Sequence, residues 1–135
     1  MALPSVGGGY QHGDGNTEVQ LAVQAAPATA TSSATLTAAQ LATGLILGSP
    51  GSSAATYTLP TVALWEALVV NAKLNSSFDF SVINIDGSGS GIITLAVGTG
   101  WTLTGLATTA ATAGTTHRYR ARKTGDTTWT LYTLA

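Results

Sequence analysis

The chain of 135 residues contains no cysteine, so neither a disulfide framework nor a thiolate ligand set can form. Charge is scarce too. Asp, Glu, Lys and Arg make up 8% of the residues, against roughly 25% in an average soluble protein. The formal net charge is −1, so no long-range field of either sign is expected, and neither nucleic acid nor an anionic membrane is an expected partner. No apolar run approaches the roughly 20 residues of a membrane helix. The first residues lack a basic n-region and a continuous apolar h-region, so no signal peptide is read there and synthesis in a cytoplasm is expected.

Thr, Ser, Ala and Gly take the place of the missing charge. Hydrophobic residues reach 44%, and Thr and Val suit a pleated surface. The expected fold class is mainly β: a compact antiparallel sandwich or barrel-like body with one or two short helices and an extended N-terminal arm. The arm and its linker are expected over residues 1–35 and the β-rich body over residues 36–135. Gly7-Gly8-Gly9 and Gly13-Asp14-Gly15-Asn16 are turn-forming. Glu18 to Val23 suits one short added strand. Ala25 to Thr35 reads as an extended Ala/Thr/Pro/Ser linker. On this reading the body folds without residues 1–35.

Within the body, Thr37-Ala38-Ala39-Gln40 fits a capping box, with a short helix ended by Gly44. Leu45–Leu47 and Ala55–Leu59 read as strands. Thr61 can cap a second helix over residues 61–70, with Val62, Trp65, Leu68 and Val69 on one face and Glu66 pointing away from it. Ser77–Ile85 is a strong strand, with Phe78, Phe80 and Val82 on one face and Ile83 and Ile85 loading the other. Asp86 to Gly91 reads as a hairpin connection into Ile92–Val97, which is apolar on both faces. Trp101–Thr104 follows, and Thr115–Lys123 pairs with Thr127–Leu134 as a terminal hairpin. Apolar residues on both faces of central strands imply a second layer, a subunit interface, or both.

The inventory for catalysis is thin, and no enzyme activity or cofactor is expected. His12 and His117 lie in no nucleophile motif, and the six carboxylates are scattered singly. Asp79 and Asp86 flank one strand on opposite faces. Asp14, Asn16 and Glu18 are spaced like the start of a calcium loop. The later bidentate carboxylate is missing, so a polar turn is expected and no metal site. The glycine runs lack the Lys-Ser/Thr ending of a phosphate loop. Arg118, Arg120 and Arg122 alternate onto one strand face, either as a guanidinium ladder for an anionic surface or as a solvated face that blunts an edge. Trp65, Trp101 and Trp129, with Phe78 and Phe80, are anchors of the core or of a trimer interface.

Several stretches resemble, in order along the chain, small phage virion proteins. They are Leu36-Thr37-Ala38-Ala39-Gln40-Leu41 with Gly44-Leu45-Ile46-Leu47 and Tyr57-Thr58-Leu59-Pro60-Thr61, then Ile92 to Thr104, then the closing hairpin. The arm sequence Gly7-Gly8-Gly9-Tyr10-Gln11-His12-Gly13-Asp14-Gly15-Asn16-Thr17-Glu18 belongs to the same pattern. Together they are similar to the capsid decoration, or cement, proteins of tailed bacteriophages. The resemblance implies a homotrimer on the outer surface of a virion head, with the major capsid protein as partner. Tyr10, Gln11, His12, Val19 and Leu21 are the expected capsid-binding arm residues. The rival reading is a receptor- or carbohydrate-binding tip of a phage tail or fibre, which would expose aromatic platforms.

Overall fold

In the computed structural model, which describes residues 21–135, the chain first winds as a coil between two sheets. The first strands are β1 (Ala28–Ala30), β2 (Ala34–Thr35), β3 (Leu45–Gly48), β4 (Ala55–Thr58), β5 (Ser77–Asn84) and β6 (Ile93–Ala96). Odd strands enter one sheet and even strands the other, so β1, β3 and β5 lie parallel, as do β2, β4 and β6. Parallel neighbours need a long crossover. Here each crossover is a strand of the opposite sheet, with helix α1 (Ala38–Ala42) or α2 (Val62–Leu68) on the way back.

The C-terminal half closes the coil. It supplies β7 (Trp101–Thr104), β8 (Thr108–Thr109), β9 (Thr115–Gly125) and β10 (Thr128–Thr133). Among the described residues the large sheet runs β1-β3-β5-β9-β10-β7 and the small one β2-β4-β6-β8. The terminal hairpin is antiparallel, and β9 pairs along the whole of β5, from Ser77 opposite Arg122 to Asn84 opposite Thr115. The protein is therefore mainly β, as its composition implies. Its sheets are mixed, not purely antiparallel.

The helices form where their caps predict. Gln40 N donates to the Thr37 hydroxyl (3.1 Å) and Thr37 N to the Gln40 side chain (2.9 Å), the reciprocal box that satisfies two orphan amides. Gly44 ends the turn at φ +77°, a conformation that costs glycine nothing. Thr61 caps α2 by accepting from Leu64 N. Leu41 and Trp65, the inward residues of the two helices, are buried with Ile46, Tyr57, Phe80, Val82, Ile93 and Leu131 in one core.

Three local expectations are corrected. Asp86 to Gly91 is not a hairpin, because β5 and β6 lie in different sheets. The segment crosses between them, tied by the Asp86 carboxylate to the Ser49 hydroxyl and the Gly51 amide. Next, β6 is buried on one face only, through Ile93 and Leu95. Finally, the stretch read as a linker carries β1 and β2. Small side chains make this possible. Ala30 lies opposite Gly48, where an added Cβ would collide with Ile93 and Tyr57. The Tyr57 hydroxyl then donates to Ala30 O (2.9 Å).

A body cut at Leu36 loses an edge strand from each sheet. Deleting residues 1–35 is therefore expected to lower stability by about 2–4 kcal/mol, at roughly 1 kcal/mol per lost hydrogen bond. Deleting residues 1–20, which keeps both strands, is the comparison measured beside it. Equal midpoints for the two truncations would show that β1 and β2 contribute nothing.

Candidate assembly surface

The aromatic anchors line up inside the core. Trp101 packs on Trp129 (5.8 Å between ring centroids), Trp129 edge-on to Trp65 (6.0 Å), Trp65 on Phe78 (5.5 Å), Phe78 on Phe80 (6.2 Å) and Phe80 on Tyr119 (5.3 Å). All of these are buried except Phe78, which is half-buried. Burial pushes the Tyr119 phenol up to about 12. The indole N–H of Trp101 donates to Pro60 O (2.8 Å). That of Trp129 donates to the Glu66 carboxylate (3.0 Å), which also takes Lys123 Nζ. Glu66 thus faces β9 and β10 and is no free solvated acid. The hydrogen bond from Lys123, then that from Trp129, holds its carboxyl below the usual range.

The outer face of the large sheet has two parts. On β9 the three arginines project outward, but each has a partner within the chain. Asp79, directly across from Arg120 on β5, accepts from Arg120 Nε (2.6 Å) and from Arg118 Nη2 (3.0 Å). Arg122 donates to the Tyr132 hydroxyl (3.1 and 2.9 Å) and to the Asn75 side chain (2.8 Å). The remaining part is apolar. Leu47 lies across from Ile83, with Leu45 beside them, all half-buried, and Ile85 stands exposed just past β5. An apolar strip rimmed by paired charges and Tyr has the composition of an interface more than of a solvated face.

The Asp79 carboxyl is held down at about 2, chiefly by the hydrogen bond from Arg120 and then by that from Arg118. A depressed folded-state value means that the unfolded chain binds its proton first. The stabilisation is therefore complete above an unfolded value of about 3.9 and disappears as pH falls towards the folded one. The stability gap between the parent and Asp79→Asn is expected to close over that window, measured by urea unfolding at a series of pH values. A gap that stays constant through the window would mean that the ion pairs stabilise nothing. The group is one-third exposed, so the gap itself is small.

A second apolar feature borders α2. Leu64, Leu68, Val70 and Leu74 are exposed, and a groove of about 470 Å³ opens beside them. Leu68, Val69, Val70 and Phe78 line it, with Trp65 and Trp129 behind and Ala42 of α1 at its edge. No charged side chain lines it. Spacing alone put Leu68 and Val69 on the buried face, but Leu68 is about half exposed because the helix ends there.

Of the expected arm residues, Leu21 is described and is 90% exposed. Tyr10, Gln11, His12 and Val19 lie outside the described residues, as does the Asp14–Glu18 turn. Among the described residues no three His, Asp or Glu side chains come together as a metal site would require. None of the helices there is long and apolar enough to cross a membrane. Sequence reasoning missed the Glu66–Lys123–Trp129 link and the Asp79–Arg pairs. The second had a signal, since an acid and an alternating basic run on adjacent strands pair whenever register allows. Comparison with protein-family models, with curated proteins and with solved structures finds no match to this chain.

Proposed function

We propose that the protein is a structural virion component, a decoration protein that binds the outside of a bacteriophage head as a homotrimer and braces the capsid lattice. The observation that carries this reading is the apolar strip of Leu45, Leu47, Ile83 and Ile85 on a sheet face whose arginines are already hydrogen-bonded within the chain. Such a face suits a flat protein partner, and its guanidinium groups are already engaged by Asp79, Asn75 and Tyr132. The ordered resemblance along the chain to decoration proteins supplies the partner, the major capsid protein. The tail-tip reading gains no support from the tryptophans. Trp65, Trp101 and Trp129 are all in the core and form no exposed platform for a sugar.

The test is to mix purified protein with expanded heads and measure bound copies against added copies. Saturation at a stoichiometry set by the lattice is expected, while unsaturable or absent binding would overturn the proposal. Attachment should survive about 1 M salt, where the Debye length is ~3 Å, and Arg120→Ala should bind as the parent does. Shedding at high salt would instead make the arginine face the contact.

A further inference from the structure

Among the described residues the groove beside α2 has no occupant, and an apolar segment of the same chain packs on nothing. Leu21 is 90% and Val23 101% exposed. They alternate with Gln20 and Ala22, and Val19 continues the alternation in sequence. Side chains two apart in an extended segment share a face. We propose that Leu21 and Val23 of one copy fill the α2 groove of a second copy, and that this exchange holds the trimer together. The inference rests on the trimeric reading above and names its contact.

Three observations carry it. The groove volume of about 470 Å³ falls in the ~300–1,000 Å³ range of sites that enclose small apolar groups. Chemistry matches on both sides, since the groove lining has no charged residue and neither has Gln20 to Val23. Position matches as well. The Gln24 side chain donates to Thr43 O (2.6 Å), and Thr43 follows Ala42 at the groove's edge. Each segment therefore departs beside a groove, and the described chain begins three residues upstream of that anchor.

Within one copy the segment does not use the groove it starts beside: Leu21 and Val23 stay 90% and 101% exposed although Gln24 is anchored at the groove's edge. Segment and groove are different surfaces, one of each per copy. Their contact is heterologous and must close into a ring or run on as a filament. Closure over three copies leaves no segment and no groove unfilled.

The test uses two full-length variants. One carries Leu21→Asp and Val23→Asp. The other carries Val70→Glu, at a side chain 74% exposed, so its fold should be kept. An unchanged far-UV circular dichroism spectrum and a cooperative urea transition confirm folding in both, the midpoint itself being free to fall as association is lost. Light scattering at micromolar concentration should give three times the 13.5 kDa chain mass for the parent and one chain mass for each variant alone. An equimolar mixture should give a heterodimer, because only one intact segment and one intact groove remain between the two. Trimers from either variant alone, or a mixture that stays monomeric, would overturn the exchange. Head binding separates the two proposals. Trimeric variants that saturate heads as the parent does would overturn the exchange alone, whereas a monomeric parent that leaves heads bare would overturn both.

Discussion

Trp65→Ala is expected to lower the unfolding free energy by about 3–5 kcal/mol, the cost typical of truncating a buried aromatic. Trp65 is 1% exposed, on the inward face of α2. It touches Trp129 on one side and Phe78 on the other, so its loss opens a cavity in the middle of the aromatic row. The cavity cannot collapse cheaply, because Trp129 is held through its indole N–H by Glu66 and Phe78 by its place in β5. The indole N–H of Trp65 itself has no hydrogen-bond partner among the described residues. Trp65→Phe should therefore cost much less, about 1–2 kcal/mol, since it retains most of the apolar contact and removes an unsatisfied donor. Guanidinium unfolding followed by far-UV circular dichroism reads both variants. Similar midpoints for Ala and Phe would show that the aromatic row does not brace the fold. The groove beside α2 shares Trp65 and Trp129, so on the proposed exchange Trp65→Ala should also weaken self-association. The Phe variant separates that effect from loss of fold.

The parts of this fold that were legible in the sequence are those set by neighbours in the chain. Thr37 and Gln40 are three residues apart, and their mutual bonds need nothing from elsewhere. The closing hairpin needs only two strands and a turn. The large aromatics are core because little else in the chain is big enough to fill it. What stayed hidden depends on which sheet a strand enters. A glycine-rich stretch after a strand serves equally to reverse into the same sheet or to cross to the other one. Residues 86–91 carry no local mark that decides between them. The strands β1 and β2 were hidden for another reason. Ala28 and Ala30 have weak strand preference, and only Gly48 across the sheet and the Tyr57 hydroxyl beyond it make them fit. The candidate surface divides in the same way. Ile83 and Ile85 showed as excess apolar residues on the outer side of β5, whereas the groove needed the meeting of α1, α2 and β5, which spacing along the chain does not reveal.

Asn84→Leu is expected to cost at least about 3 kcal/mol, although it exchanges one buried side chain for another of similar size. Asn84 is fully buried at the end of β5. Its Nδ2 donates to Gly91 O (2.8 Å) and Ala110 O (3.0 Å), and its Oδ1 accepts from Gly87 N (2.7 Å). The bonds to Gly87 and Gly91 hold the crossing from the large sheet to the small one, and the bond to Ala110 ties it to the return from β8 to β9. Leucine would leave backbone groups unpaired away from water, at about 1–3 kcal/mol each. The loop is closely packed there: an added Cβ at Gly91 would run into Gly51 O. Asn84→Asp separates hydrogen bonding from packing, because its shape is nearly unchanged. A carboxylate there would set a negative oxygen against the two carbonyls that Nδ2 now serves. Its folded-state pKa would rise above the unfolded value of about 3.9. A raised value means that stability is lost as pH rises through it, so the aspartate variant should be weakest near neutrality and recover towards about pH 4. The leucine variant should show no such recovery. Urea midpoints across that range decide the matter: if the two variants keep the same deficit at every pH, the bonds of Asn84 are not what fixes the crossing between the sheets.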